Sequence, residues 1–195
     1  MILLIAILAG VLFGFLRAKF NHAAYQSLEI KHIWLVLAAY LPQFFMFFLP
    51  STRSSIPAIW VSILLVASQV LLLIFIWINR KIPGGWLMGL GLLLNFLVIA
   101  LNGGMMPLTP ENAAHLLPKG STITLTLGER VGSTKDILLE KSQTRLWFLG
   151  DIFLLPEWLH YPLAFSPGDV LLSLGVFWLF WELGSPNKKL EAIPA

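Results

Sequence analysis

A few polar side chains interrupt long apolar runs, and any chemistry in this chain has to start from them. Gly84, Gly91, Asn95 and Asn102 follow one another at steps of seven, four and seven, which puts them on one face of a helix. Ser62 and Gln69 are seven apart and share a face of the preceding run, and Gln43 stands just after Pro42 in the run before that. Pro42 frees a backbone carbonyl about one turn earlier, near Ala38, to accept from a neighbour. The last run opens Ser166-Pro167-Gly168-Asp169. Ser166 is a natural N-cap with proline in the first turn, and Asp169 falls where the helix dipole favours negative charge. Ser173 lies one turn further along the same face. A bare amide or carboxylate in hydrocarbon is costly, so such groups either pair across helices or mark a functional site. Two interpretations therefore stand for Gln43, Gln69, Asn95, Asn102 and Asp169: a ligand-binding cluster, or hydrogen bonding that fastens helices together.

The elements that carry these residues follow from composition. The chain has 195 residues, 57% of them hydrophobic and 12% charged, with mean hydropathy +0.81. A soluble domain carries roughly twice that charge, and one this size could not cover so much apolar surface. A bilayer core about 30 Å thick needs about 20 mostly apolar residues per spanning helix. About five segments meet or approach that length: 1–16, 32–49, 56–78, 83–101 and 168–183. The expected fold is an all-α polytopic membrane bundle, a single domain over 1–195, with a long loop over 102–167. No Lys or Arg precedes Arg17 and no convincing small-x-small site follows, so the first segment is expected to be a retained helix and not a signal peptide.

Basic residues orient the bundle. Arg17, Lys19 and Lys31, then Arg80 and Lys81, then Lys188 and Lys189 all fall on one side if the spans number five, leaving Arg53 and the mixed-charge loop on the other. The N-terminus is thus expected outside, the C-terminus in the cytoplasm, and 102–167 outside. Gln43, Ser62, Asn102, Asp151 and Asp169 then sit toward the outer half, with Gln69 and Asn95 below them. Within the loop, Asn102-Gly103-Gly104 stops a helix, and Thr109-Pro110-Glu111 resembles a capped helix start. Residues 121–127 alternate as a short strand would. The aromatic stretch 146–161, broken by Pro156 and followed by Pro162, is expected to lie on the outer interface.

Small residues at four-residue spacing, Ala6, Gly10, Gly14 and Ala18 in the first run and Gly85 and Gly89 in the fourth, allow helices to approach closely. Packing within the bundle and dimerisation through the first helix both use such a stripe. Glu182, near the cytoplasmic end, is placed to pair with Arg17, Arg80 or Lys81. With no cysteine there is no disulfide or thiolate site, and the four histidines (His22, His32, His115 and His160) have no ligand pair at i, i+4. No metal or other cofactor is expected. A net charge of +3 without a basic aromatic stripe does not suggest nucleic acid. Phosphate-loop and Gly-x-Ser-x-Gly motifs are absent, as are the repeated halves of a transporter.

Three segments taken together, Gly91–Asn95 to Asn102–Pro107, Arg145–Asp151 to Pro156, and Ser166–Asp169 to Gly175, resemble the family of bacterial membrane proteins called domain of unknown function 5317. The resemblance covers most of the chain and implies a bacterial membrane location with no established activity. From Asp151 through Pro162–Phe165 to Asp169 and Gly175, the chain also resembles the C-terminal pattern of lipoprotein signal peptidases. In those enzymes two carboxylates share a proton and activate water. That resemblance implies catalytic roles for Asp151 and Asp169, but Asp151 is followed by Ile152 where that family's other motif has arginine. The functional expectation is a non-enzymatic accessory or scaffold subunit, or a binder of lipid or another hydrophobic ligand. An aspartyl-type hydrolase and a small carrier or channel are the alternatives. The expected partners are the lipid bilayer and other membrane subunits.

Overall fold

Apolar runs without internal breaks become helices whose ends are set by prolines, glycines and asparagines. The computed structural model describes residues 2–48, 56–117, 125–132, 134–159 and 161–186. Arg53, Lys188, Lys189 and His160, and most of the strand expected over 121–127, lie outside the described residues.

Helix α1 spans Ile2–Phe20, α2 Trp34–Phe48, α3 Ala58–Ile78 and α4 Gly85–Leu101. The short α5 spans Pro110–Leu116 and α6 Pro167–Glu182. The caps behave as their residues dictate. The Thr109 hydroxyl accepts from the Asn112 N–H, and Ser166 with Asp169 forms a reciprocal capping box. Gly84 precedes α4 with φ +72°, a conformation that suits glycine, and a Cβ there would collide with the Gly175 carbonyl.

The helices pack in the spatial order α2–α3–α4–α6–α1. Small residues make the closest contacts. Gly10 and Gly14 of α1 lie against the Phe177 and Phe180 carbonyls of α6, so the stripe that could have served a dimer is used inside the bundle. Gly91 of α4 lies against Gly168 and Leu172 of α6. Gly89 faces Ile76 of α3, while Gly85 is crowded by its own preceding turn at Arg80. Between α2 and α3 the Ser68 hydroxyl donates to the Ala39 carbonyl at 2.9 Å, within the turn before Pro42.

One end of the bundle is tied by Arg17, which donates to Glu182 at 3.0 Å and stacks on Trp181, and by Asn79, whose amide bonds both N–H and C=O of Lys31. The other end is covered by the described residues between 102 and 166. These include short strands that an all-α expectation leaves out. Strand β1 (Met106–Leu108) pairs in parallel with β2 (Asp136–Leu138), and β3 (Phe153–Leu154) pairs antiparallel with β4 (Ala164–Phe165). Leu125 to Leu127, the described remainder of the expected strand, form no strand. Outward-facing apolar side chains run along the bundle, among them Leu8, Leu12, Ile59, Trp77 and Trp86.

Candidate functional site

The site builds up from the first turn of α6. Asp169 Oδ2 accepts the Ser166 N–H at 3.1 Å, and the Asp169 N–H donates to Ser166 Oγ at 3.0 Å. Ser166 Oγ in turn donates to Asn95 Oδ1 at 2.8 Å, and Asn95 Nδ2 donates to Asp169 Oδ1 at 2.8 Å. This closed ring joins α4 to α6 through the buried Asn95 and Ser166 and the half-buried Asp169, with Ser166 fully enclosed. Gly168 makes the ring possible, because a Cβ there would fall on Asn95 Oδ1.

Of the polar residues singled out from sequence, the structure thus brings Asn95 and Asp169 into direct contact. Asn102 serves elsewhere: its amide donates to the Arg145 carbonyl at 2.8 Å and accepts the Arg145 N–H at 2.9 Å. It clamps the loop as Asn79 clamps the opposite end. Gln43 stands on α2, which packs chiefly on α3, and Gln69 stands on α3 with its Oε1 buried and lacking a hydrogen-bond partner. The five therefore do not form one cluster.

Above the ring lies a charged group. Asp151 follows a 3₁₀ turn at Trp147–Leu149, its N–H donating to the Pro107 carbonyl at 3.3 Å and its carbonyl accepting from Asn112 at 3.0 Å. Backbone bonds to both β1 and α5 thus fix its position. Its side chain is 2% exposed, and Oδ2 accepts from Lys135 Nζ at 2.6 Å. The same ammonium lies 3.3 Å from Asp136 Oδ1. The parallel register of β1 and β2, with Met106 opposite Asp136, brings Lys135 to this spot. Asp151 Oδ1 is buried without a hydrogen-bond donor, Asp136 Oδ1 is buried with that ammonium as its ion-pair partner, and Arg130 Nη2 is buried without an acceptor. Burial pushes the Asp151 carboxyl up to about 7, against the pull of Lys135, and the Asp136 and Asp169 carboxylates add to the rise. For Lys135, burial opposes the ammonium, but the carboxylates of Asp151, Asp136 and Asp169 outweigh it and hold the group above the ordinary lysine range. Both directions mean that the cluster retains protons.

Lys135 and Asp136 do not stand out from sequence, because they sit in a mixed-charge segment without periodicity. Asp151 and Asp169, the two carboxylates of the peptidase resemblance, have separate partners: Asp151 pairs with Lys135, and both oxygens of Asp169 are taken by Asn95 and Ser166. Among the described residues there is no group of three or more His, Asp or Glu side chains suited to a metal ion.

The chain is therefore a mostly helical protein in which two helices, Ile2–Phe20 and Ala58–Ile78, are long and apolar enough to cross a membrane, with Asn95 of α4 bonded to the start of α6. It belongs to the family of unknown function DUF5317, which it matches over residues 27–181. It is 33% identical over 139 residues to an uncharacterized protein of Thermotoga maritima, covering 70% of this chain and 72% of the relative. No solved structure matches.

Proposed function

We propose that the chain is a five-span protein of the bacterial cytoplasmic membrane, with its N-terminus outside and C-terminus inside. In this role it acts as a non-enzymatic subunit, presenting the 102–166 cap to a partner at the outer surface. Alternation supports five spans: α4 runs antiparallel to α6, and α1 runs alongside α6, since Gly91 meets Gly168 while Gly10 meets Phe177 and Gly14 meets Phe180. Trp34, Trp77 and Trp86 near one end and Trp60, Trp147 and Trp158 near the other match the belts tryptophan forms at both interfaces.

The observation that carries the non-enzymatic assignment is the closed ring of Asn95, Ser166 and Asp169. An aspartyl dyad activates water through two carboxyls that share one proton, whereas here Asp151 is paired with Lys135. Both oxygens of Asp169 are already bound to protein donors. Mild-detergent extraction from native membranes should give a complex heavier than the 21.8 kDa chain with a stoichiometric partner. A lone monomer would remove the subunit assignment. Loss of function in Asp169→Asn, with the fold intact, would restore the hydrolase.

A further inference from the structure

We propose that Asp151, Asp136 and Lys135 form a proton-binding latch, in which uptake of one proton by the buried Asp151 carboxyl holds the described residues of 125–139 down against β1 and the ends of α2 and α3. The Asp151 carboxylate is faced by Lys135 at the start of β2, by Asp136 beside it, and by Asp169 on α6, with Arg130 next to Asp136. The polar group reaching it from α5, Asn112, bonds its backbone and leaves the side chain alone. Among the described residues, Asp151 and Asp136 thus flank one ammonium with Asp169 nearby, and Arg130 is a further cation beside Asp136.

Asp151 Oδ1 is buried and receives no donor, and Asp136 Oδ1 shares with Asp151 the Lys135 ammonium, 3.3 Å away. An ionised oxygen with no donor is costly in a dry site. One bound proton removes a unit of excess negative charge and turns an orphaned acceptor into a donor. Lys135, 38% exposed, gives the cluster an edge to solvent through which the proton can exchange. Opening the latch returns Asp151 to water, where its carboxyl regains an ordinary value of about 3.9.

The closed state binds the proton more tightly than the open one. Closure is therefore fully favoured at pH below the open-state value, and the advantage is lost as pH rises through about 7. Acidification closes the latch and alkalinity loosens it.

The test is hydrogen–deuterium exchange of the full chain in lipid nanodiscs from about pH 8.5 to about 5, with rates corrected for intrinsic chemistry and infrared difference spectra reporting protonated carboxyls. Protection of the amides of Val131 and Leu138 should rise up to about tenfold per pH unit below pH 7, with a carboxylic-acid band appearing over the same range. In Asp151→Asn the band and the slope should vanish. Asp136→Asn should move the midpoint down by removing a like charge, and Lys135→Gln should move it up by removing the cation. Protection that does not change with pH in the natural protein, or an Asp151→Asn variant that keeps the slope, would overturn the latch. Should Asp151→Asn fail to fold, the opposed shifts of the other two variants decide: both midpoints unmoved, or moved in the same direction, reject the proposal.

Discussion

Ser166 does two jobs with one hydroxyl: it caps α6 by accepting from the Asp169 N–H, and it donates across to Asn95. Its first role is legible from Ser-Pro-Gly-Asp, because capping is local and each partner lies within a turn. Its second is not, since Asn95 is 71 residues away and nothing in the spacing names it as the acceptor. Asn95 itself is conspicuous as an amide amid apolar neighbours, so sequence shows that it needs a partner but not which one. Lys135 is harder still. Its pairing with Asp151 depends on the register of two three-residue strands that carry no alternation of their own. Ser166→Ala should cost about 2 kcal/mol, the upper end of the N-cap range, because it also leaves Asn95 Oδ1 without its donor in a buried site. Thermal unfolding in detergent, compared with Ser173→Ala, whose hydroxyl has no partner to lose, measures this difference.

At the scale of elements, helix existence was legible and helix partnership was not. Apolar length marks α1 to α4 and α6, and the ends fall within four residues of expectation because Asn79, Gly84, Asn102 and Pro167 stop or start them. The face of α4 that carries Gly84, Gly91, Asn95 and Asn102 was also readable, from steps of seven and four. That this face meets α6, and that Gly89 turns toward α3, needed the fold. The α4–α6 contact gives a comparison between two kinds of glycine. A Cβ on Gly91 would stand 2.5 Å from the Gly168 carbonyl oxygen and 2.7 Å from the Leu172 nitrogen, both rigid backbone. Gly103 has open space around it but φ +76°. Gly103→Ala should therefore cost about 1–2 kcal/mol of backbone strain. Gly91→Ala should push the two helices apart and cost more, about 3 kcal/mol, through overpacking and loss of the Asn95 ring. Equal destabilisation of the two variants would mean that α4 and α6 are not in backbone contact.

For the whole molecule, the placement of charge about the bundle makes orientation testable. Arg17, Glu182, Lys31 and Asn79 gather at one end, and Lys135, Asp151 and Lys141 lie in the cap at the other. Basic residues beside short connections are retained in the cytoplasm, whereas a long segment crosses largely regardless of its charge. The Arg17 end should therefore be internal and the proton latch external, where it meets the pH of the surroundings and not that of the cytoplasm. The chain has no cysteine, so a single introduced thiol reports its own side without background. Lys141→Cys should react with a membrane-impermeant maleimide in intact cells. Arg80→Cys, in the turn between α3 and α4, should react only after permeabilisation. The reverse pattern would invert the protein and put the latch in the cytoplasm. Labelling of both from outside would leave α4 uncrossed and remove the five-span arrangement, since residues 80 and 141 are separated by α4 alone among the proposed spans.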